Sequence, residues 1–420
     1  MSHSTVIIGS GPAGLAAALA LSRQGIRPLI VERLDRPALK LLASGGGRCN
    51  FSNALDMEGF MQKFGRSGAF MRNALRFAPR ERLLDFLHSE HVEAVLTDGF
   101  YYFPASGKAR DIADAFLRAS GAEVRTESEA VSIEIHGGRV TGVMLKDGNF
   151  LAAEAVILAA GGCAWSGLGS SAGLNLARAA GHTVCKPLPA VAPLLIREGW
   201  VGSLAGVTLP QARLTLKSGR DTLITEGSLL FTHNGLSGFP ALDLAGEVSV
   251  LCDRNGTAEL ALSVRSDRTE RDWSGWLEQV RQESGAVSIR NLLNRWIPRS
   301  VAEILTEQSG CSETKAAKLT AGSQKQLIQR LTTSRLTAAG AGPMEKAMAM
   351  RGGVALKEVD PATMGSRIVN GLYFAGEILD LTGPCGGYNM QWAFSSGFLA
   401  GSSAAAALRS CKGKEQSTYD

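Results

Sequence analysis

The sequence predicts an α/β fold in which a doubly wound, parallel-stranded domain is interrupted by an inserted domain and completed near the C-terminus. Three observations predict it. A β-branched run, Thr5-Val6-Ile7-Ile8, passes through a glycine turn into an alanine- and leucine-rich helix. The hydrophobic pattern changes beyond Pro187, and a strand, a glycine turn and a small-residue helix return between Leu372 and Leu408.

The first strand begins at Thr5, and the helix after it runs from Pro12 to Arg23 with no breaker past Gly14. Gly25 ends that helix, and Arg27 to Val31 supplies a second apolar strand that stops at Glu32, giving a βαβ half-unit. The stretch Ser44 to Asn50 holds three consecutive glycines and is expected to be a loop. Helical patterning covers about 57–91 and 108–119, on either side of the aromatic run Phe100-Tyr101-Tyr102-Phe103. The period then drops to two. Strands at Ala130 to Ile135, Arg139 to Lys146 and Asn149 to Ala152 are joined by His136-Gly137-Gly138 and Lys146-Asp147-Gly148, both hairpin signals, and they feed a buried strand at Ala155 to Ala159. Alternating strands dominate from Pro187 to about Val264, and amphipathic helices from about Thr269 to Leu331. The expected organisation is a first part of the doubly wound domain over 1–190, an inserted strand-rich domain over 191–265, a helical segment over 266–335, the second part over 336–410, and a polar, frayed tail over 411–420.

Composition narrows the function classes. The 420 residues carry 44 Lys and Arg against 39 Asp and Glu, a net charge of +5 with no run of five like charges, so a nucleic-acid partner is not expected. No apolar run approaches the ~18 residues that would span a bilayer, and residues 5–21 lack the basic leader of a secretory signal. Seven cysteines without a CxxC pair or metal-ligand spacing fit reduced thiols in the cytoplasm, with no metal. Forty-nine glycines against 14 prolines mark many positions where a side chain would obstruct a turn or a ligand.

Gly9-Ser10-Gly11-Pro12-Ala13-Gly14 fits G-x-G-x-x-G between a strand and a helix, with an acid, Glu32, eighteen positions beyond Gly14. Gly9 permits the tight turn, Gly11 lets the backbone approach a pyrophosphate, Gly14 lets helix pack on strand, and the helix N-terminus attracts phosphate charge. Glu32 is placed to accept hydrogen bonds from ribose hydroxyls. These features require a dinucleotide and leave FAD and NAD(P) open.

Two further features tip the choice to FAD. The segment Gly371-Leu372-Tyr373-Phe374-Ala375-Gly376-Glu377 is a strand that delivers Gly376 and Glu377 to the same sheet edge, which suits a cofactor longer than its adenosine half. The helix opening at Gly386-Gly387-Tyr388-Asn389 would aim its positive end at the negative charge of a reduced flavin. There is no second strand-bound G-x-G-x-x-G, so NAD(P)H is expected only as a transient electron donor.

The run Lys40-Leu41-Leu42-Ala43-Ser44-Gly45-Gly46-Gly47-Arg48-Cys49-Asn50, with Asn53 after it, closely resembles the K-L-x-x-S-G-G-G-R-C-N-x-x-N signature of the bacterial BaiN-like, or aminoacetone oxidase-like, flavoproteins. Gly161-Gly162, the segments Gly169 to Gly173 and Leu230 to Gly238, and Gly376-Glu377 through Asp380, Gly387, Asn389, Gln391 and Ala393 are similar to further blocks of that family in the same order. The resemblance implies a Rossmann-like FAD domain of glutathione-reductase type, an inserted β-barrel plus helical domain, non-covalent FAD and NAD(P)/FAD-dependent oxidoreductase activity. The sequence departs from the pattern at Pro240, and at Pro384-Cys385 before Gly386.

Arg48 is the best phosphate or flavin-carbonyl partner, because a guanidinium forks onto such oxygens; a structural salt bridge is the alternative. Cys49 is either a redox thiol beside flavin or simple packing. His233 is either a substrate acid or base or a structural histidine, and Tyr388 either stacks on flavin or substrate or packs in the core. Asp380 is placed to bind the ribityl chain, with a turn aspartate as the alternative. Around the first cradle, Ser10, Pro12, Ala13, Arg33, Lys40, Ser44, Gly46, Gly47 and Asn50 are also expected to touch the cofactor. Val131, Ala160, Gly161, Gly387, Asn389 and Gln391 complete the set.

The expected function is transfer of two electrons from a small organic substrate, an amine among the options, or from NAD(P)H, to oxygen or another acceptor. Mild basicity and Lys315, Lys318, Lys325 and Arg330 in the helical insert suggest a second reading, a flavin-dependent RNA-modifying enzyme. A third is a non-catalytic FAD-binding redox sensor.

Overall fold

Five short strands set the frame of the molecule, whose computed structural model describes residues 4–416. They are β1 (Thr5–Ile8), β2 (Leu29–Val31), β3 (Glu123–Arg125), β4 (Ala155–Leu158) and β5 (Leu372–Phe374), paired in parallel in the order β5-β4-β1-β2-β3. Every residue of β1, β2, β4 and β5 is buried, as expected of strands covered on both faces. The chain passes from β1 to β2 on one side, and β4 flanks β1 on the other. The strand order therefore reverses beside the carboxyl end of β1, the position at which open α/β sheets bind ligands.

Helix α1 (Pro12–Ser22) links β1 to β2 and packs along α2 (Tyr388–Gln416), which returns from the far end of the chain. Their backbones touch: a Cβ on Gly397 would lie 2.2 Å from the Ala13 carbonyl oxygen, and one on Gly401 2.4 Å from that of Ala17. Replacing either glycine would push the helices apart. An antiparallel meander, Ala130–His136, Arg139–Leu145 and Phe150–Ala152, separates β3 from β4. The polar tail expected over 411–420 is corrected in part, because residues 411–416 continue α2; residues 417–420 lie outside the described residues.

A second compact unit, Leu188–Met348, forms between the two stretches of the first, which run up to Pro187 and from Ala349 onward. Its centre is a closed six-stranded barrel, ordered Leu194–Ile196, Gly235–Ser237, Asp221–Thr232, Thr208–Ser218, Ala258–Ser263 and Ser334–Ala341. Alternation fills it: Leu209, Ala212, Leu214 and Leu216 point inward and are buried. Pro240, a departure from the family pattern, occupies the first turn of helix Phe239–Asn255, where its missing N–H costs nothing. The helical segment opens with a capping box in which Thr269 and Asp272 exchange hydrogen bonds of 3.2 and 2.8 Å.

The insert ends later than expected. Ser334–Ala341 pairs with Ala258–Ser263 and Leu194–Ile196 as a barrel strand, so the boundary falls after Met348 and not at 335. Its buried positions are mostly small, which hides the alternation from a hydrophobicity pattern. Among the described residues no helix is long and apolar enough to cross a membrane.

Candidate functional site

The first glycine turn contains glycines of two kinds. Gly9 has φ +102°, and a Cβ there would lie 2.6 Å from the Ala159 carbonyl oxygen; a Cβ on Gly14 would lie 2.0 Å from that of Gly9. Both are required by the protein's own packing. Gly11 is not: its φ of −69° suits any residue, and nothing lies within 4 Å of a Cβ built on it. It is the N-cap of α1 and supplies no side-chain cap to the leading N–H groups of the helix. Pro12 and Ala13 form the first turn behind it.

Ser10 is fully buried and fixes the acid of the next strand. Its N–H and hydroxyl donate to Glu32 Oε2 at 3.0 and 2.6 Å, while Glu32 Oε1 accepts from the Leu34 N–H at 3.0 Å. The carboxylate is thereby held at the end of β2, beside the turn. Arg33 donates from Nη2 to the carbonyl oxygens of Leu168 at 2.8 Å and Gly169 at 3.1 Å. A cavity of about 350 Å³ opens next to it, lined by Arg33, Leu34, Glu127, Ser128 and Lys146 among others. Val131, 49% exposed, stands on the first meander strand three residues beyond Ser128.

The triple-glycine segment, expected to be a loop, is a tight turn with non-helical backbone angles inside it. Gly45, Gly46 and Gly47 have φ of +58°, +66° and +88°, a left-handed path that side chains disfavour. The Ser44 hydroxyl donates to the Leu41 carbonyl at 2.6 Å, and the Cys49 N–H to that of Ser44 at 3.1 Å. Cys49 is completely buried, and burial pushes its thiol up to about 12 against a weaker opposing effect of the Ser44 hydrogen bond. A protonated, inaccessible thiol is a poor nucleophile, so the redox reading of Cys49 yields to packing. Arg48 is exposed, with its guanidinium 5.1 Å from the centre of the Phe103 ring and no carboxylate partner among the described residues, which removes the salt-bridge alternative. Asn50, with its amide oriented to suit its neighbours, donates to the Ser52 and Tyr102 carbonyls at 2.7 and 3.1 Å and accepts from the Gly387 N–H at 3.3 Å.

The C-terminal glycines meet this structure directly. A Cβ on Gly376 would lie 2.9 Å from that of Ala13, and the Gly376 N–H donates to the Ser396 hydroxyl at 2.9 Å. Glu377 is a hub. Its Oε2 lies 2.5 Å from Lys40 Nζ and accepts from the Gly162 N–H at 3.3 Å, and its Oε1 accepts from the Met350 N–H at 3.0 Å. Gly161, at φ +67°, and Ala160 lead into this cluster. Sequence reasoning missed the Lys40–Glu377 pairing, for which the spacing offers no signal.

Other candidates are occupied structurally. Asp380 accepts from the Gly352 N–H at 3.0 Å, and Asn389 closes its own loop through two hydrogen bonds to Gly383 at 2.8 and 2.9 Å. Tyr388 is 3% exposed, with ring centroids 5.0 Å from Phe60 and 6.2 Å from Phe64. Gln391 donates to the Ser395 hydroxyl at 2.9 Å, but its Oε1 is buried without a partner among the described residues, as is the Ser52 hydroxyl. His233 lies in the other unit, exposed in the turn between Asp221–Thr232 and Gly235–Ser237.

Comparison with known proteins places this arrangement. The chain is 31% identical over 419 residues to the 3-dehydro-bile acid Δ(4,6)-reductase of Clostridium scindens, covering 95% of this chain and 98% of that protein. It is 29% identical over 411 residues to the ribosomal RNA dihydrouridine synthase of Escherichia coli, covering 93% and 95%. The 3-ketosteroid Δ1-dehydrogenase of Sterolibacterium denitrificans, 13% identical, shares the fold with a TM-score of 0.53 over 97% of this chain and 100% of that one. The HI0933-like protein Rossmann domain matches residues 3–403. The chain accordingly belongs to the HI0933-like Rossmann family of FAD-dependent oxidoreductases.

Proposed function

We propose that the protein holds FAD along the carboxyl edge of its parallel sheet and serves as a reductase of carbon–carbon double bonds conjugated to a carbonyl, with NAD(P)H as the electron donor. The observation that carries the cofactor site is Gly11, a glycine that no contact within the protein requires, at the uncapped start of a helix. FAD fits there. When bound, it supplies two-electron chemistry that side chains lack.

The residues have separable tasks in this reading. The α1 N-terminus and Gly11 receive the pyrophosphate, and Glu32, oriented by Ser10, receives the ribose hydroxyls. Among the described residues Arg48 presents a guanidinium with no carboxylate of its own to satisfy, and the buried, unpartnered Gln391 Oε1 and Ser52 hydroxyl are polar atoms a ligand or a water would satisfy. Lys40 and Glu377 hold the two glycine segments together at the same edge. The meander between β3 and β4 supports the glutathione-reductase type of FAD domain.

The double-bond reading draws on the relatives. A 3-dehydro-bile acid Δ(4,6)-reductase and a dihydrouridine synthase are both named for adding hydrogen across a bond conjugated to a carbonyl. An RNA substrate is the second reading. It is favoured by the segment from Thr314 to Met344, which holds five basic residues, no acid, and exposed Lys315, Lys318 and Lys325.

Anaerobic stopped-flow mixing tests the proposal: the yellow protein is reduced with NADH or NADPH, then mixed with a conjugated steroid ketone or with uridine-containing RNA. Faster reoxidation by one of these than by buffer alone is expected. A flavin that no donor reduces would favour the redox-sensor reading, and one that neither acceptor reoxidises but that reoxidises rapidly when air is admitted would make the protein an oxidase.

A further inference from the structure

We propose that Arg33 is a clasp across the mouth of the dinucleotide site, which sets how fast the cofactor enters and leaves. The inference rests on the reading that FAD lies along this sheet edge. In the order β4-β1-β2 the two outer strands are about 10 Å apart, twice the spacing of neighbours. Arg33 follows β2, whereas its acceptors, Leu168 and Gly169, follow β4. The side chain therefore links the outer columns past the edge from which the glycine turn leaves β1. A ligand that touches both Glu32, after β2, and Gly161, after β4, occupies the edge that this link spans.

The far anchor is built to receive a cation. The carbonyl oxygens of Leu168 and Gly169, with that of Gly167 at 3.5 Å, converge on one guanidinium nitrogen. They are presented by a turn in which the N–H groups of Leu168 and Gly169 both donate to the Trp165 carbonyl at 3.1 and 2.9 Å. Trp165 itself sits at φ +80°, a conformation a bulky residue holds only when its surroundings impose it. Arg33 Nε and Nη1 make no hydrogen bond among the described residues, so the link to the loop runs through Nη2 alone. The three-carbonyl anchor suits a guanidinium, which keeps its charge across the accessible pH range.

A clasp and a direct contact leave different kinetic signatures. A direct contact holds the bound cofactor, so its loss speeds release alone. A clasp obstructs both directions, so its loss speeds release and rebinding together. The test uses the holoprotein and its Arg33→Ala and Arg33→Lys variants. Release is followed as the rise in flavin fluorescence on dilution, and rebinding by stopped-flow mixing of the stripped protein with FAD. Arg33→Ala should accelerate both rates by about tenfold or more, as expected for losing two charge-assisted hydrogen bonds, with the dissociation constant changed less than either rate. Arg33→Lys should fall between, since an ammonium can still reach the carbonyls. Faster release with unchanged rebinding, or two unchanged rates, would overturn the clasp. Wild-type protein that takes up no FAD would instead overturn the site on which it rests.

Discussion

Lys40 Nζ lies 2.5 Å from Glu377 Oε2, joining residues 337 positions apart in the chain. The pair is mostly shielded, with side-chain exposures of 27% and 19%, and the carboxylate also accepts from two backbone N–H groups. Glu377→Ala would leave the Gly162 and Met350 N–H groups without an acceptor, whereas Glu377→Gln keeps one amide oxygen for them. Unfolding by urea should rank Glu377→Ala as the most damaging, by about 2–4 kcal/mol, with Glu377→Gln and Lys40→Met nearer 1–2 kcal/mol. Equal losses for all three would mean that the backbone contacts carry no weight.

Glu32 is held by Ser10 and by the Leu34 N–H before any ligand arrives. Glu32→Gln preserves much of that geometry but weakens the acceptor offered to ribose. FAD affinity measured by fluorescence quenching should fall about 10- to 100-fold. An unchanged affinity would remove Glu32 from the site.

Cys49 should resist iodoacetamide in the native protein and react only after unfolding, because the thiol is buried and its pKa is raised from 9.0 to about 12. A raised folded-state value stabilises below the unfolded value and is lost as pH rises. Stability should therefore decline between pH 9 and 12 as the unfolded chain releases this proton. Cys49→Ser should make that decline shallower by about one proton while leaving bound flavin largely intact. Rapid native alkylation would contradict the packing role.

The helical insert offers a salt test. If the acid-free segment with Lys315, Lys318 and Lys325 contacts RNA, anisotropy titrations should give an affinity that falls steeply with salt, and reversing the three lysines to glutamate should reduce that slope by about three. A salt-independent or absent RNA signal would leave small molecules as the substrates.

The first cradle was legible in the sequence because strand, turn, helix and acid lie within 32 residues and each has a local signature. The second was legible as a strand that reaches the same sheet edge and as a helix, but its side-chain contacts with the first were not. The contacts of Glu377 with Lys40, Gly162 and Met350 depend on β5 docking beside β4, a consequence of packing that no spacing encodes. The triple glycine showed that side chains are unwelcome there, and only the backbone path showed why: three successive left-handed residues form a turn. Asp380 was read as a ribityl contact or a turn aspartate and Asn389 as a cofactor contact; the sequence did not show that Gly352 donates to Asp380 Oδ1 or that Asn389 bonds to Gly383. The last barrel strand escaped notice for a simpler reason: small inward residues carry little hydrophobic signal.

The most direct test of the cofactor site compares Gly11→Val with Gly14→Ala. Gly14→Ala drives a methyl group to within 2.0 Å of the Gly9 carbonyl oxygen and should destabilise the protein itself by about 1–3 kcal/mol or more. Gly11→Val places its side chain in open space at an ordinary φ, so the fold should survive. The measurement is the flavin absorbance of purified Gly11→Val protein together with its urea unfolding curve. A folded, colourless protein that no longer takes up FAD is the expected result; a folded protein with a full complement of FAD would contradict it.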